Sequence, residues 1–267
     1  WPAFMINHAG KPETMTAHRF SRLAFAAALA PLVLGLAACN NKGEDAPAGL
    51  SGQPIAKIAP PAGKAWSDVV TITPELGYRM GNPEAPIKVV EYASLTCPHC
   101  AEFSHEATAE LRDQFVASGR VSYEMRNMIR DGLDLYLTQL TRCGAPEGYF
   151  ALTDQTFVNQ AEFFKTAQDA GKAAQEAAFS QPPEKRGLAI ANLAGMTDFF
   201  AARGISKEQA AACLADTAKA TTLANASTEQ GEKYKIEGTP TFIINGAKLD
   251  ANTWPLVKAE LEKLGAR

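Results

Sequence analysis

Cys97 and Cys100 enclose Pro98 and His99 and follow shortly after the apolar run of residues 87–93. Two thiols at this spacing form a redox-active disulfide, supply half of a zinc site, or lie buried as two small hydrophobes. The compartment that the chain reaches and the elements that hold the pair decide among these three chemistries.

The residues around the pair predict a strand followed by a helix. Residues 87–93 are apolar and largely β-branched, which is typical of a buried central strand, although Glu91 interrupts them. Pro98 is suited to open a helix and Gly119 to close it. Apolar side chains recur every fourth residue between them, at Phe103, Ala107, Leu111 and Phe115. This stripe indicates a helix that packs on a sheet.

Cys97 would then occupy the first turn of that helix, where free backbone N–H groups and the helix dipole favour a thiolate. We therefore expect Cys97 to be the exposed, low-pKa nucleophile and Cys100, one turn further on, to be the buried resolving thiol. Pro98 fits the first turn because its missing N–H costs nothing there. His99 could add positive charge beside the thiolate.

Further along the chain, strand and helix patterns alternate. Val121, Tyr123 and Met125 alternate with polar residues and predict a second strand, whereas residues 133–230 are Ala-rich and predict four or five helices. Residues 241–244 predict another strand, which Asn245-Gly246 turns into a hairpin with residues 247–249. A last helix would begin near Trp254, capped by Asn252 or Thr253, and end at Gly265.

The N-terminal region predicts export. The chain begins with Trp1, so Met5 and Met15 are candidate starts, and the text after Met15 places two arginines before a long apolar run. This order is typical of a bacterial signal peptide within residues 1–38. Leu36-Ala37-Ala38-Cys39 resembles the lipobox of bacterial lipoproteins, which predicts lipid attachment at Cys39. Residues 39–65 are rich in Gly, Pro and Ala and predict a tether.

The remaining cysteines fit an oxidising compartment. The chain has five cysteines, and assigning Cys39 to the lipid leaves an even number. Cys143 and Cys213 lie in helical text and do not open a helix after a strand, so we expect them to form a structural disulfide. The alternative is two separate buried thiols. A zinc site is disfavoured because these two cysteines are isolated instead of forming a second close pair.

The Cys97–Cys100 motif after an apolar strand, together with Gly238-Thr239-Pro240 before the strand at Thr241, resembles the DsbA family of periplasmic thiol-disulfide oxidoreductases. The resemblance extends from Trp66 to the C-terminus. It implies an α/β class, thioredoxin-like fold with an inserted helical domain. The thioredoxin-like parts would be residues 66–130 and 231–267, and the insertion residues 131–230. A very low Cys pKa and an oxidising disulfide are further properties that the family implies.

The same resemblance assigns roles to three residues outside the motif. Pro240 matches a cis-proline that lies against the active-site disulfide, and the Thr239 backbone would pair with an extended substrate peptide. Glu91 matches the acidic residue that the family buries beneath its cysteines. Because an unpaired buried carboxylate is costly, Glu91 would either pair with Arg126 or relay protons to Cys100.

Together with these resemblances, the sequence predicts a membrane-anchored, extracytoplasmic lipoprotein of a bacterium that introduces disulfides into exported proteins with free thiols. A membrane redox partner would reset the pair, and the redox-active disulfide would need no cofactor and no metal. The alternatives are a disulfide isomerase or reductase of the same superfamily, and a non-enzymatic lipoprotein that binds metal or polypeptide. A net charge of −3 without a basic stripe disfavours nucleic acid as a partner.

Overall fold

The fold is built on a six-stranded mixed sheet. The protein is represented by a computed structural model, which describes residues 52–267. The strands are β1 (Val70–Ile72), β2 (Tyr78–Gly81), β3 (Ile87–Ala93), β4 (Val121–Asn127), β5 (Thr241–Ile244) and β6 (Ala247–Leu249). Their spatial order is β1-β2-β4-β3-β5-β6, with β3 and β4 parallel and the other neighbours antiparallel.

β3 and β4 form the centre of the sheet, and most of their side chains are buried, although Lys88 of β3 is exposed. All seven residues of β4 are buried, including its polar ones, so the alternation read from the sequence does not mark a solvent face. Glu124 is satisfied there by the Thr73 hydroxyl at 2.7 Å and by the Arg126 guanidinium at 2.7 Å. Paired polar groups can therefore lie in the core without a large cost.

The helix after the cysteine pair packs its apolar stripe on this sheet. It runs as α1 (Pro98–Glu110) and continues as a π-helical segment, Leu111–Val116. Phe103, Ala107, Leu111 and Phe115 are all buried, which confirms the predicted stripe. Phe103 lies against Phe242 of β5, with ring centroids 4.6 Å apart, so the helix that carries the cysteines is fixed to the sheet.

A block of helices separates β4 from β5. Its members are α2 (Gly132–Thr141), α3 (Tyr149–Val158), α4 (Gln160–Asp169), α5 (Lys172–Phe179), α6 (Pro183–Leu193), α7 (Met196–Ala201), α8 (Lys207–Ala215) and α9 (Thr217–Lys233). The expected number of four or five was wrong because Gly171 and Gly195, both with positive φ, divide the text into shorter helices. No helix within residues 52–267 combines the length and apolar composition that crossing a bilayer requires.

Cys143 and Cys213 are joined by a disulfide that ties the end of α2 to α8. Their Cα atoms lie 6.0 Å apart, within the usual range for a disulfide. The link closes a loop of 70 residues inside the helical block. Because both sulfurs are bonded to each other, neither is available to complete a zinc site with Cys97 and Cys100.

The C-terminal part is a hairpin followed by α10 (Trp254–Lys263). Asn245 and Gly246 both have positive φ, as the predicted hairpin turn requires. Thr253 occupies the N-cap position of α10, but its side chain makes no capping hydrogen bond. Pro255 accounts for part of this difference, since it removes one of the backbone donors that a cap would satisfy.

Part of the predicted tether is docked on the domain. In residues 52–58, which we call the docked segment, the N–H of Ile55 donates to the carbonyl of Gly265 and that of Ile58 donates to Ser118, each at 2.9 Å. The Trp66 indole donates to the Ile58 carbonyl at 2.8 Å. The expectation of a free tether is therefore wrong here, because backbone hydrogen bonds hold a segment that has few large apolar groups.

The remaining N-terminal predictions lie outside the described residues. They comprise the two candidate starts, the signal peptide, the lipidation site Cys39 and the tether as far as residue 51. Residues 59–65 are described, and all seven are exposed.

Two glycines leave room for the docked segment. Gly119, with φ +73°, lies three residues after the π-helical segment, and a Cβ there would lie 2.5 Å from the Ile58 carbonyl oxygen. Gly265, with φ +104°, follows α10, and a Cβ there would overlap the Gln53 carbonyl oxygen. Both positions thus need glycine for its backbone freedom and for its lack of a side chain.

We expect Gly265→Ala to lower the free energy of unfolding more than Gly204→Ala does. Gly204 has a similar positive φ of +92°, but its Cβ would meet nothing within 4 Å. The control therefore reports backbone strain alone, about 1–2 kcal/mol, whereas Gly265→Ala also displaces the docked segment. Denaturant unfolding of both variants measures the difference. Equal losses would show that the docked segment adds nothing to stability.

Candidate active site

The loop between β3 and α1 places Cys97 at a helix N-terminus. Cys97 has extended backbone angles and is the N-cap residue, while Pro98 is the first residue of α1. The N–H of Cys97 donates to the Ser94 carbonyl at 3.1 Å, and its carbonyl accepts from Ala101 at 3.2 Å. The sulfur is therefore held beside the free N–H groups of the first helical turn.

Both thiols are reduced in the structure, and both residues are buried. Cys100 is fully buried and Cys97 is 4% exposed, so the expectation of an exposed Cys97 was wrong. Access is instead through an open cavity of about 510 Å³. Its lining is Cys97, Pro98, His99, Met128, Ile129, Arg130, Ile236, Glu237, Gly238 and Thr239.

Hydrogen bonding to the Cys97 sulfur lowers the pKa of this thiol to about 4. The largest contribution is a hydrogen bond from the Cys100 thiol, and the Thr239 side chain and the backbone N–H groups of Cys100 and His99 add to it. Partial burial opposes these donors. Since donors aimed at a sulfur favour its charged form, Cys97 is a thiolate at neutral pH.

The second thiol has the opposite character. Burial raises the pKa of Cys100 well above its usual range, and the neighbouring Cys97 and Glu91 raise it further. Two thiols three residues apart thus prefer different protonation states at neutral pH. A reduced pair of this kind holds one negative charge, on the sulfur that faces the open cavity.

His99 contributes through its backbone. Its side chain is 74% exposed and lies 3.6 Å from the Glu102 carboxylate. The sequence suggested a positive charge beside the thiolate, but the His99 group that acts on Cys97 is the N–H.

The Thr239–Pro240 peptide bond lies next to the reactive sulfur and is cis. The Thr239 carbonyl oxygen is 3.3 Å from the Cys97 sulfur and accepts a hydrogen bond from the thiol when it is protonated. Pro240 is buried immediately before β5. The structure therefore brings Thr239 and Pro240 to Cys97 across 142 residues of sequence.

Glu91 is buried, and the hydroxyl of Tyr123 donates a hydrogen bond to it. Burial raises the pKa of Glu91 to about 8, with smaller upward contributions from Asp154 and Cys97, while the Tyr123 hydrogen bond opposes them. Glu91 is therefore mostly protonated at neutral pH.

Arg126 does not pair with Glu91, and that part of the prediction was wrong. In the β3–β4 register Arg126 is opposite Tyr92, so its side chain lies on the other face of the sheet from Glu91. There it donates to the Tyr92 hydroxyl at 3.0 Å and to Glu124.

Two residues of the helical block, which the sequence analysis missed, hold the cysteine loop. Asp134 in α2 accepts from the Ser94 hydroxyl at 2.6 Å and from the Leu95 N–H at 2.9 Å. Gln160 in α4 donates to the carbonyls of Leu95 and Cys97, at 2.8 and 3.1 Å. The spacing Asp131-x-x-Asp134 resembles a helix start and could have revealed α2, but no local pattern marks Gln160.

Comparison with known proteins identifies the family and the fold. A thioredoxin family model matches residues 74–263, which include the cysteine pair, the cis-proline and the last helix. The chain belongs to the thioredoxin family. A crystal structure of a protein-disulfide isomerase from Novosphingobium aromaticivorans is 32% identical, with a TM-score of 0.66, over 70% of this chain and 97% of that one. The predicted thioredoxin-like fold with a helical insertion is confirmed.

Two further proteins are similar to this chain. Wolbachia pipientis alpha-DsbA1 is 21% identical with a TM-score of 0.55, over 70% of this chain and 89% of that one, which shows the fold alone. A Rickettsia bellii protein, provisionally named a protein-disulfide oxidoreductase, is 26% identical over 184 residues, or 69% of this chain. The match spans 62% of that protein, so this chain covers less than two thirds of such curated relatives.

We expect Cys100→Ala to raise the pKa of Cys97 in this thioredoxin-family site, since the largest donor to its sulfur is removed. Cys100→Ser is the matched variant, because a hydroxyl still donates. The thiolate absorbance of the reduced protein, titrated with pH, gives the Cys97 pKa in each variant. Equal values in both variants would show that the Cys100 donor has little effect on the thiolate.

Proposed function

We propose that this chain is an extracytoplasmic thiol-disulfide oxidoreductase that introduces disulfides into exported proteins. The observation that carries the proposal is the opposite character of the two thiols, a stabilised thiolate at Cys97 beside a buried neutral Cys100. The names of the Rickettsia bellii and Novosphingobium aromaticivorans proteins support thiol-disulfide chemistry.

The reaction begins with the pair oxidised. A substrate thiolate attacks the Cys97 sulfur, the Cys97–Cys100 bond breaks, and its electron pair leaves on Cys100, which takes up a proton. A second substrate thiolate then attacks the substrate sulfur of the mixed disulfide and releases Cys97 as a thiolate. The substrate loses two electrons and two protons. The pair gains both electrons and one proton, and the other proton goes to solvent.

The charge on Cys97 supports the proposed direction of transfer. Stabilising the thiolate lowers the free energy of the reduced pair, so its disulfide becomes a stronger oxidant. Glu91 is the proposed proton donor to Cys100, because it is protonated near neutral pH and acts electrostatically on that thiol. The open cavity beside Thr239 and Pro240 would take an extended substrate chain.

The proposal also covers the setting. The lipid anchor at Cys39 and the export signal would place the protein outside the cytoplasm, on a membrane. A membrane partner that accepts the two electrons would restore the disulfide after each turnover.

A disulfide isomerase is the second candidate, because the Novosphingobium aromaticivorans protein carries that name. An isomerase is kept reduced and rearranges existing disulfides. Many isomerases of the superfamily add an oligomerisation segment, and the composition of residues 40–65 does not suit one.

Cys100→Ser should accumulate mixed disulfides with thiol-containing proteins through Cys97, because the resolving sulfur is gone. Cys97→Ser should accumulate none. Non-reducing gels and mass spectrometry of both variants, expressed in a bacterium with an intact periplasm, test this difference. Trapping by Cys97→Ser instead would reverse the assignment of the nucleophile.

Equilibration of the Cys97–Cys100 pair with glutathione buffers tests the direction. An oxidase should have a potential well above the value of roughly −270 mV that is typical of thioredoxin. It should also oxidise a reduced model substrate faster than it rearranges a scrambled one. A potential near that of thioredoxin would contradict the oxidase and favour a reductase. An oxidising pair that acts mainly on scrambled substrate would favour the isomerase.

A further inference from the structure

A second cavity, partly open to solvent, lies between the sheet, α1 and the helical block, and Cys97 and Cys100 are not among its lining residues. Its volume is about 150 Å³. One ordered water needs roughly 10–15 Å³ of such space together with polar partners, so the cavity has room for several waters. The polar residues lining it are Ser67, Glu91, Ser104, Thr108, Arg112, Tyr123, Glu147, Thr153 and Asp154.

The inner end of this cavity is formed by Glu91 and Tyr123. Glu91 is 2% exposed, so a proton that it gives to Cys100 cannot be replaced by direct contact with bulk solvent. The Tyr123 hydroxyl is committed to Glu91 as a donor. An exchange route for the Glu91 proton must therefore pass through the cavity or through the cysteines themselves.

The outer end is formed by Asp154 of α3, which is half-buried and reaches solvent. Its Oδ1 atom accepts from the Ser104 hydroxyl at 3.2 Å and from the Thr108 hydroxyl at 3.1 Å, both on α1. Two hydroxyls thus fix a carboxylate from the helical block against the helix that carries the cysteines. The side chain lines the same cavity as Glu91.

Charged and titratable groups lie around Asp154 on several of the elements that line the cavity. Arg112, beyond the end of α1, is positive and already bonded to Asp113 at 2.7 Å, while Glu147, before α3, is exposed. Glu91 and Tyr123 face it from β3 and β4. Burial raises the pKa of Asp154 to about 6, below that of Glu91, so a proton tends to move inward.

We propose that Asp154 is the group through which the buried Glu91 exchanges protons with solvent in each redox cycle. The inference rests on the proposed oxidoreductase function. When the disulfide opens, Cys100 takes a proton from Glu91, Glu91 takes one through the cavity from Asp154, and Asp154 takes one from solvent. When the disulfide re-forms, one proton leaves by the reverse path. Neither carboxyl group changes oxidation state. Asp154 thus acts through Glu91 and lies at the outer end of this path.

Asp154→Asn tests the path in the full-length protein. The amide oxygen can still accept from Ser104 and Thr108, but the side chain no longer carries a proton. Asp169→Asn is the matched control, because Asp169 is an exposed carboxylate on α4 that pairs with Lys165 outside the cavity. The rate of opening of the Cys97–Cys100 disulfide by dithiothreitol is measured against pH, in H₂O and in D₂O.

We expect Asp154→Asn to slow this step about tenfold at neutral pH. This is a smaller effect than the loss of an acid–base group usually has, because Glu91 itself remains. The solvent isotope effect should increase, and added acetate should restore part of the rate by carrying protons to the cavity. Asp169→Asn should match the wild type in all three measurements.

Two results would overturn the path. One is an Asp154→Asn rate and pH profile equal to the control. The other is slowing without a larger isotope effect and without acetate rescue, which would indicate a structural role.

If Asp154→Asn does not fold, a Ser104→Ala, Thr108→Ala variant replaces it. We expect this variant to show a smaller loss of rate with the same larger isotope effect and acetate rescue. Wild-type protein that fails to exchange with dithiothreitol would overturn the proposed function itself, whereas active wild type with an unaffected Asp154→Asn would remove only the relay.

Discussion

The rest of the site depends on keeping a negative charge on one sulfur atom. Cys97 carries that charge because the first turn of α1 and the Cys100 thiol both direct donors at it. A charge held this way requires a stationary helix end, and α1 is held by the packing of Phe103 and Phe115 against α10 and the sheet. The sheet and the helices beneath the site therefore hold in place the donors that keep Cys97 ionised.

A second constraint follows from the first. Because the thiolate is negative, further negative charge close to it in the protein interior is unfavourable. Glu91 lies in the central strand below the pair, where an ionised carboxylate would repel the sulfur. Burial keeps Glu91 largely neutral, whereas the Tyr123 hydroxyl fixes the position of its carboxyl group and by itself favours the ionised form. The helical block completes the arrangement: Asp134 and Gln160 fix the loop before Cys97, and the Cys143–Cys213 disulfide braces the block that carries them. The insertion is thus part of the machinery that shapes the cysteine pair.

The sequence predicted the elements with strong local signals. Residues 87–93 form β3 with the predicted bounds. An apolar, β-branched run that is preceded by Pro83 and Pro86 strongly favours a buried strand over a helix. The hairpin at Asn245 was equally clear, since both turn residues tolerate positive φ. The β1–β2 hairpin was missed because its strands have only three and four residues. Helix number in the Ala-rich block was wrong, since alanine marks helical text without marking where each helix ends.

Other features depend on strand register and on tertiary contacts, which local sequence patterns do not reveal. Whether Arg126 or Tyr123 reaches Glu91 is decided by which face of β4 each occupies, and this changes with a shift of one residue. The approach of Asp154 to α1 joins residues about 50 apart in the chain, with polar side chains that look like an ordinary helix surface. The docked segment has almost no side-chain signal, since its backbone makes the bonds.

The docked segment and the reactive sulfur lie at opposite ends of the domain. The docked segment contacts Ser118, Gly265 and Arg120 at the end of the domain where β3 begins, while Cys97 lies beyond the other end of that strand. The strand and the helix above it span roughly 20–30 Å. The docked segment therefore lies at the end of the domain opposite Cys97. It leaves the open cavity beside Cys97 uncovered, since none of residues 52–58 is among the residues that line that cavity.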